Sequence, residues 1–158
     1  MMSIAVFTNA QDATAIINKG INLNNQGKYD DAINIFTQVI KDNPDLTNAY
    51  LQRAFSYVML KDYEKAVRDY TEVIKREPEN KFAYLSRGSA YNKLKKYQQA
   101  LNDFDKVLEL DPEDQEGYNN RGWAKKFLGN KKDACKDWKK SKKLGNKEAK
   151  IILKNNGC

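Results

Sequence analysis

Residues 84–91 read YLSRGSAY and place Gly88 inside a stretch whose flanks have the pattern of a helix. Glycine in a helix interior costs roughly 1 kcal/mol relative to alanine. Two helices packed at the usual distance need a small side chain where they come closest. Gly88 therefore predicts the crossing point of a helical hairpin, with Tyr84 and Tyr91 packed around it.

The small residue belongs to an internal repeat. The three prolines, Pro44, Pro78 and Pro112, stand 34 residues apart, and alignment on them gives four copies, 13–46, 47–80, 81–114 and 115–148. Such a period is the sequence signature of a repeat architecture. The small residue recurs as Gly20, Ala54, Gly88 and Gly122, and a second small position recurs as Ala32, Ala66, Ala100 and Ala134.

Each copy has the pattern of two helices joined by a short turn. In the third copy we expect helix A over 82–94, helix B over 97–108 and a turn at Lys95-Lys96. Pro112 follows helix B, because proline cannot donate to the helix ladder and disfavours helix in the residue before it. One such pair cannot bury its own apolar faces, so the copies must stack.

This pattern resembles the tetratricopeptide repeat family over residues 13–148. The resemblance implies an all-α fold, a right-handed α-solenoid superhelix of four helix-turn-helix repeats, between an N-terminal segment (1–12) and a C-terminal capping helix (147–156). It also implies a non-catalytic protein–protein interaction module that binds a peptide or helical segment in a concave groove. The residues that carry the resemblance in the third copy are Tyr84, Gly88, Tyr91, Tyr97, Ala100, Phe104 and Pro112.

One departure from the family concerns the residue before the small position. The family usually has an apolar residue there, whereas this chain has Lys19 in the first copy and arginine in the others. An aspartate occurs in helix B of the three copies that carry arginine, and bidentate arginine–carboxylate geometry suits a partly buried site. The sequence therefore predicts ion pairs across each hairpin or between adjacent hairpins: Arg53–Asp69, Arg87–Asp103 and Arg121–Asp137.

The groove candidates lie on helix A, off the packing stripe. Uncharged polar residues form one column, and their amides could hydrogen-bond a peptide backbone, as in the asparagine columns of family members. The alternative for the apolar neighbours is that they pack against adjacent helices. The column is Asn18, Gln52, Ser86 and Asn120; the apolar track is Ile17, Ile21, Leu51, Phe55 and Leu85; Ser89, Asn119 and the possible anchor Trp123 complete the set.

Some family members clamp the C-terminal carboxylate of heat-shock chaperones with positively charged helix A residues. The matching places here hold Ile17, Ile21, Gln52, Phe82 and Ser86, and a shift by one repeat gives Leu51, Phe55, Ser86, Glu116 and Asn120. Neither set has the required charges. The sequence therefore argues against heat-shock chaperone peptides and leaves the partner protein or peptide unidentified.

The positive charge of the chain lies at its C-terminal end. The net charge is +7, and the residues from Arg121 onward contain 13 Lys/Arg against 3 Asp/Glu. This basic patch offers an alternative function, the binding of nucleic acid or another anionic surface. The competing interpretation is a solvated outer face, and no nucleic-acid motif accompanies the lysines. The patch consists of Lys132, Lys136, Lys139, Lys140 and Lys143.

Other functions find little support in the sequence. The chain has no histidine, which removes Cys-His and Ser-His catalysis and most metal sites. It also has no phosphate-binding loop, so we expect neither an enzyme nor a cofactor. No apolar stretch approaches the length of a membrane span. The exposed apolar track also allows homo-oligomers.

The two ends of the chain leave alternatives open. Folding of the last helix about Gly145 would bring Cys158 near Cys135, which allows either a disulfide or a buried Cys135 with a loose C-terminal thiol. If the N-terminus is complete, the sequence indicates a cytoplasmic protein. If residues 1–10 are the remnant of a signal peptide, the protein is periplasmic or secreted. Residues 4–7 could also fold back onto the first repeat.

Overall fold

The structure, a computed structural model, describes residues 10–158, with their side chains from Ala13 onward. The regular elements in this range are all α-helices, which confirms the predicted all-α fold. Contacts divide the chain into two compact units, one ending at Pro78 and the other beginning at Glu79. The hypothesis that residues 4–7 fold back falls outside the described residues.

The first unit contains two helical hairpins. Helices α1 (Ala10–Asn25) and α2 (Tyr29–Asp42) form one, and α3 (Thr47–Met59) and α4 (Tyr63–Arg76) form the other. Helix α2 also packs against α3, so neighbouring hairpins share a core. Helix α1 begins three residues before the repeat boundary predicted at residue 13. One core cluster of this unit consists of Ile17, Ala32, Phe36, Val39 and Ala49.

The second unit repeats this arrangement and adds a last helix. Its hairpins are α5 (Lys81–Lys93) with α6 (Tyr97–Leu110), and α7 (Gln115–Phe127) with α8 (Lys131–Lys143). Helix α9 (Glu148–Asn155) packs against α8 and buries Ala149 completely. Its start is fixed by Asn146, whose Oδ1 accepts from the backbone N–H groups of Glu148 at 3.0 Å and Ala149 at 3.1 Å. This is ordinary asparagine capping of a helix N-terminus.

The glycines at the small position lie where an aromatic ring of helix B packs directly against helix A. A Cβ on Gly88 would lie 2.7 Å from Cε1 of Phe104, and one on Gly122 would lie 2.5 Å from Nε1 of Trp138. Both rings are fully buried, so they have little room to move away. The energetic cost of glycine in these helices is therefore offset by the close packing of a large ring.

The arginine–aspartate pairs lie across the second, third and fourth hairpins, between helix A and helix B of the same copy. Arg87 Nε donates to Asp103 Oδ2 at 2.9 Å and its Nη2 donates to Oδ1 at 2.7 Å. Equivalent two-point contacts of 2.8 Å join Arg53 to Asp69 and Arg121 to Asp137. Asp103 is only 4% exposed, so the charge lies within the packed hairpin.

Burial affects the two partners of such a pair differently. Burial raises the pKa of the Asp103 carboxyl, and its contact with Arg87 opposes this shift only in part. Burial also disfavours the charged guanidinium, but the hydrogen bond and charge of Asp103 hold the pKa of Arg87 above its ordinary value. Inside the protein, each charge is therefore stabilised mainly by its partner and only to a small extent by water.

The fourth copy extends its pair into a network that the sequence did not predict. Arg121 Nη1 contacts Oδ1 of Asp105, on α6, at 2.7 Å, and Lys125 Nζ contacts Oδ2 of Asp137 at 2.8 Å. Lys125 occupies the place of Tyr57 and Tyr91 in the preceding copies. The departure from the repeat pattern at this position therefore supplies a second cation to the buried carboxylate.

Cys135 and Cys158 form a disulfide, with 5.6 Å between their Cα atoms. The bond joins α8 to the end of the chain beyond α9, so the capping helix is held at both ends. The alternative of a buried Cys135 with a loose C-terminal thiol is therefore wrong. The sequence placed the two cysteines near each other but could not choose between these states.

Candidate functional site

The groove candidates of the first unit do not form one continuous exposed track. Ile17 is only 4% exposed and belongs to the core cluster, so its assignment to the groove is corrected here. It is buried because α1 packs against both α2 and α3. Ile21 packs partly against the same cluster. The expectation that apolar helix A residues pack against neighbouring helices holds for these two.

The remaining candidates of this unit are accessible to different degrees. Asn18 is exposed, Leu51 and Gln52 are partly buried, and Phe55 is exposed. Two further apolar residues at the end of α3, Met59 and Leu60, are also exposed. This arrangement gives an apolar patch at the C-terminal end of α3.

The second unit has a cavity of about 510 Å³ between α5 and α7, closed on one side by the start of α6. We call it the α5–α7 cavity. Its volume falls within the range of sites that hold small ligands or side chains. It is lined by Ser89, Asn92, Lys93, Lys95, Tyr97, Asn120, Trp123 and Phe127.

Aromatic rings form one wall of the α5–α7 cavity. The rings of Tyr97 and Phe127 are stacked with their centroids 4.8 Å apart, and Trp123 lies 6.0 Å from Phe127. Trp138 packs edge to face against Trp123, with 5.1 Å between the two ring centroids. Phe127 remains 54% exposed. The wall is therefore an apolar surface with fixed geometry that a partner could cover.

Amides and a hydroxyl form the polar side of the same cavity. Asn92 Nδ2 donates to the carbonyl oxygen of Asn120 at 3.3 Å, and Asn120 Nδ2 lies 3.5 Å from the Ser89 hydroxyl. Oδ1 of Asn92 is buried, and no described residue donates to it. A buried acceptor without a donor is energetically unfavourable, so the amide of Asn92 is incompletely hydrogen-bonded among the described residues.

Two lysines line the cavity, and a third lies over one of its rings. Lys93 ends α5, and Lys95 follows in the turn with a φ of 59°, in the left-handed region. On the other side, Lys126 Nζ lies 4.8 Å from the centre of the Trp123 ring. Among the described residues that line the cavity, none is acidic. The site combines an aromatic wall, an unpaired acceptor and a positive rim.

Sequence reasoning identified only part of this site. It selected Ser89, Asn120 and Trp123, which the structure brings together in the cavity. Leu85 packs against the core, Ser86 is partly buried outside the cavity, and Asn119 lines a separate polar cavity beside α9. Sequence reasoning did not assign Lys93, Lys95 and Tyr97 to the site. Tyr97 matches a packing position of the repeat, Lys95 was predicted to lie in the turn, and Lys93 was predicted only as a residue of helix A.

The basic patch lies on α8 and is mostly exposed. Lys136 pairs with Asp133 at 2.8 Å, and Lys140 Nζ lies 5.9 Å from the ring of Tyr118. Lys139 and Lys143, with Lys142, line a cavity beside the disulfide, together with Leu153 and Cys158. Lys132 is exposed as well. The patch is therefore spread along a helix surface and does not converge on one point.

Within each unit, these contacts define a protein built from repeated helical hairpins. Two tetratricopeptide repeat sequence models match the chain, over residues 23–86 and 82–114. The first TPR of Spaghetti (RPAP3), solved bound to the HSP90 peptide SRMEEVD, is 31% identical with a TM-score of 0.73; the match covers 80% of this chain and 99% of that one. The chain belongs to the tetratricopeptide repeat family.

Other solved structures share the fold at lower identity. MamA 41-end from Desulfovibrio magneticus RS-1 is 24% identical, with a TM-score of 0.80 and coverage of 85% of this chain and 76% of that one. A further crystal structure of MamA is 20% identical, with a TM-score of 0.81 and coverage of 87% and 81%. A comparison with curated proteins finds no match. The fold supports a protein–protein interaction module, and such repeats are generally non-catalytic scaffolds.

None of the described helices has the length and apolar character that crossing a membrane requires.

Proposed function

We propose that this protein is a non-catalytic interaction module that binds a peptide segment of a partner in the α5–α7 cavity. The observation that carries the proposal is the aromatic wall, where the largely exposed ring of Phe127 lies beside the polar side of the cavity. A peptide supplies both groups that such a site can receive, a backbone N–H and an apolar side chain. Aromatic residues in concave sites commonly act as binding anchors.

The ligand of a relative does not transfer directly to this chain. The Spaghetti TPR domain was solved with an HSP90 peptide, whereas the matching helix A positions here hold apolar or uncharged residues, apart from Glu116. Recognition of a terminal carboxylate by charge needs lysine or arginine at those places. We therefore keep the prediction that the heat-shock chaperone peptide is not the natural partner.

Selection from a random peptide library displayed on phage tests the proposal without assuming a sequence. We expect enriched peptides to bind the protein, to change the emission of Trp123, and to lose at least about tenfold in affinity with Phe127→Ser. Phe127 is the suitable position because it is largely exposed, so its replacement leaves the core intact.

The matched control for this experiment is the triple variant Lys139→Ser, Lys142→Ser and Lys143→Ser. These residues lie on the α8 side of the unit and line a different cavity. Peptide affinity should be unchanged in the control. Failure to enrich any peptide, or equal losses in both variants, would contradict the proposed function.

An anionic surface is the second candidate ligand, bound through the basic patch. It is favoured by Lys139, Lys142 and Lys143, which line one cavity beside the disulfide. Contacts to phosphates make binding strongly dependent on salt. Salt-sensitive binding of duplex DNA that the triple lysine variant abolishes would favour this candidate.

We further infer that the protein works in an oxidising compartment, which agrees with the periplasmic or secreted alternative. The Cys135–Cys158 disulfide supports this, because such bonds persist in oxidising compartments and are rare where thiols are kept reduced. Alkylation of free thiols at the moment of cell lysis, followed by mass spectrometry, should find both cysteines protected. Alkylation of both would contradict the inferred location.

A further inference from the structure

We infer that the segment bound in the α5–α7 cavity carries an apolar side chain flanked by carboxylates, at an internal position of the partner chain. This inference rests on the proposed function and specifies the chemistry of the partner. Two features support it: the aromatic wall and the charge of the rim.

The aromatic wall selects for an apolar side chain. Tyr97, Phe127 and Trp123 are in stacking contact, so they present ring surface at a fixed angle. Covering the exposed ring of Phe127 removes apolar surface from water, which favours leucine, methionine or phenylalanine over a polar side chain. Trp138 supports Trp123 from the buried side, so the wall does not need to form upon binding.

The rim selects for negative charge beside the apolar side chain. The lysine ion pairs of this unit involve Lys81, Lys106, Lys125 and Lys136. None of these pairs includes a rim lysine, and the described lining of the cavity contains no acidic residue to oppose them. Electrostatic complementarity then favours glutamate or aspartate on the partner. The rim lysines are Lys93, Lys95 and Lys126.

Fluorescently labelled peptides with one central leucine between paired glutamates test this inference, against matched peptides with glutamine or lysine in place of glutamate. At low ionic strength we expect the glutamate peptide to bind at least about tenfold more tightly than the glutamine peptide. This difference should shrink as salt is added, because the rim is exposed and screened. A C-terminal amide and a free acid should bind equally well.

Two lysines of the same turn supply the matched variants. Lys95 lines the cavity, whereas its neighbour Lys96 is exposed and does not. Lys95→Glu should remove the preference for the glutamate peptide, and Lys96→Glu should largely preserve it. Tryptophan emission and circular dichroism of both variants establish that they are folded.

Several outcomes would overturn the inference. Glutamine or lysine peptides that bind as tightly as the glutamate peptide, with binding still lost in Phe127→Ser, would contradict the acidic partner and leave the proposed function intact. Equal effects of Lys95→Glu and Lys96→Glu would show a general charge effect. A requirement for the free C-terminal acid would contradict an internal segment. If the wild-type protein bound none of the peptides, including those selected on phage, this result would contradict the proposed function as well.

Discussion

Replacing Asp103 with alanine should lower the free energy of unfolding of the second unit by about 3 kcal/mol, near the lower limit for breaking a buried ion pair. The substitution leaves Arg87 without its two-point contact, in a hairpin where the guanidinium side chain is only 16% exposed. Removing one partner is costly because the remaining buried charge loses the carboxylate that offsets the cost of its burial. Urea unfolding followed by tryptophan emission measures the effect, since both tryptophans of the chain belong to this unit.

Asp105→Ala is the matched control for this substitution. Asp105 is two residues away on the same helix and also contacts an arginine, but its side chain is 55% exposed. Exposed pairs contribute up to about 1 kcal/mol, so this variant should remain close to the wild type. The double variant Arg87→Met with Asp103→Leu should recover much of the lost stability, because it removes both charges. Equal decreases in the free energy of unfolding from Asp103→Ala and Asp105→Ala would contradict a stabilising buried ion pair between Arg87 and Asp103.

Loss of the disulfide should also lower the stability of the second unit by roughly 3 kcal/mol. The two cysteines are 23 residues apart in sequence, so reduction frees a loop of that length in the unfolded chain. Cys158→Ser should therefore shift the urea midpoint to lower concentration. Reduced wild-type protein should unfold with the same midpoint as this variant.

Reductant should have no effect on Cys158→Ser, which separates loss of the bond from other actions of the reagent. Loss of the disulfide should accelerate amide hydrogen exchange most strongly in α9, because the bond holds the chain end beyond that helix to α8. Reaction of both thiols in the untreated native protein, or identical unfolding with and without reductant, would contradict this prediction.

The repeat predicted much of the fold because each hairpin depends on a few positions. Gly88 marks the closest approach of two helices, and Phe104 fills the space opposite it. The arginine and aspartate of one copy lie across this same crossing, so they could be paired from the repeat register alone. These relations are local to one hairpin, which is why sequence spacing determined them.

The candidate site was less predictable because it depends on several copies and on a turn. Ile17 has the same register as Leu51, but packing among three helices buries it. Lys125 breaks the repeat pattern and was visible only as a departure, not as a second partner of Asp137. Lys95 lies between helices, where helical periodicity carries no information about the direction of a side chain.

The left-handed backbone conformation of Lys95 costs folding free energy. Glycine occupies the equivalent turn position in the first and fourth copies, as Gly27 and Gly129, and adopts such a φ without strain. A residue with a Cβ there loses about 1 kcal/mol of folding stability relative to glycine. The third copy therefore gives up stability at the residue that brings a positive charge to the cavity, as the second copy does at Lys61, with a φ of 62°. Under the proposed function, recognition and folding compete at Lys95.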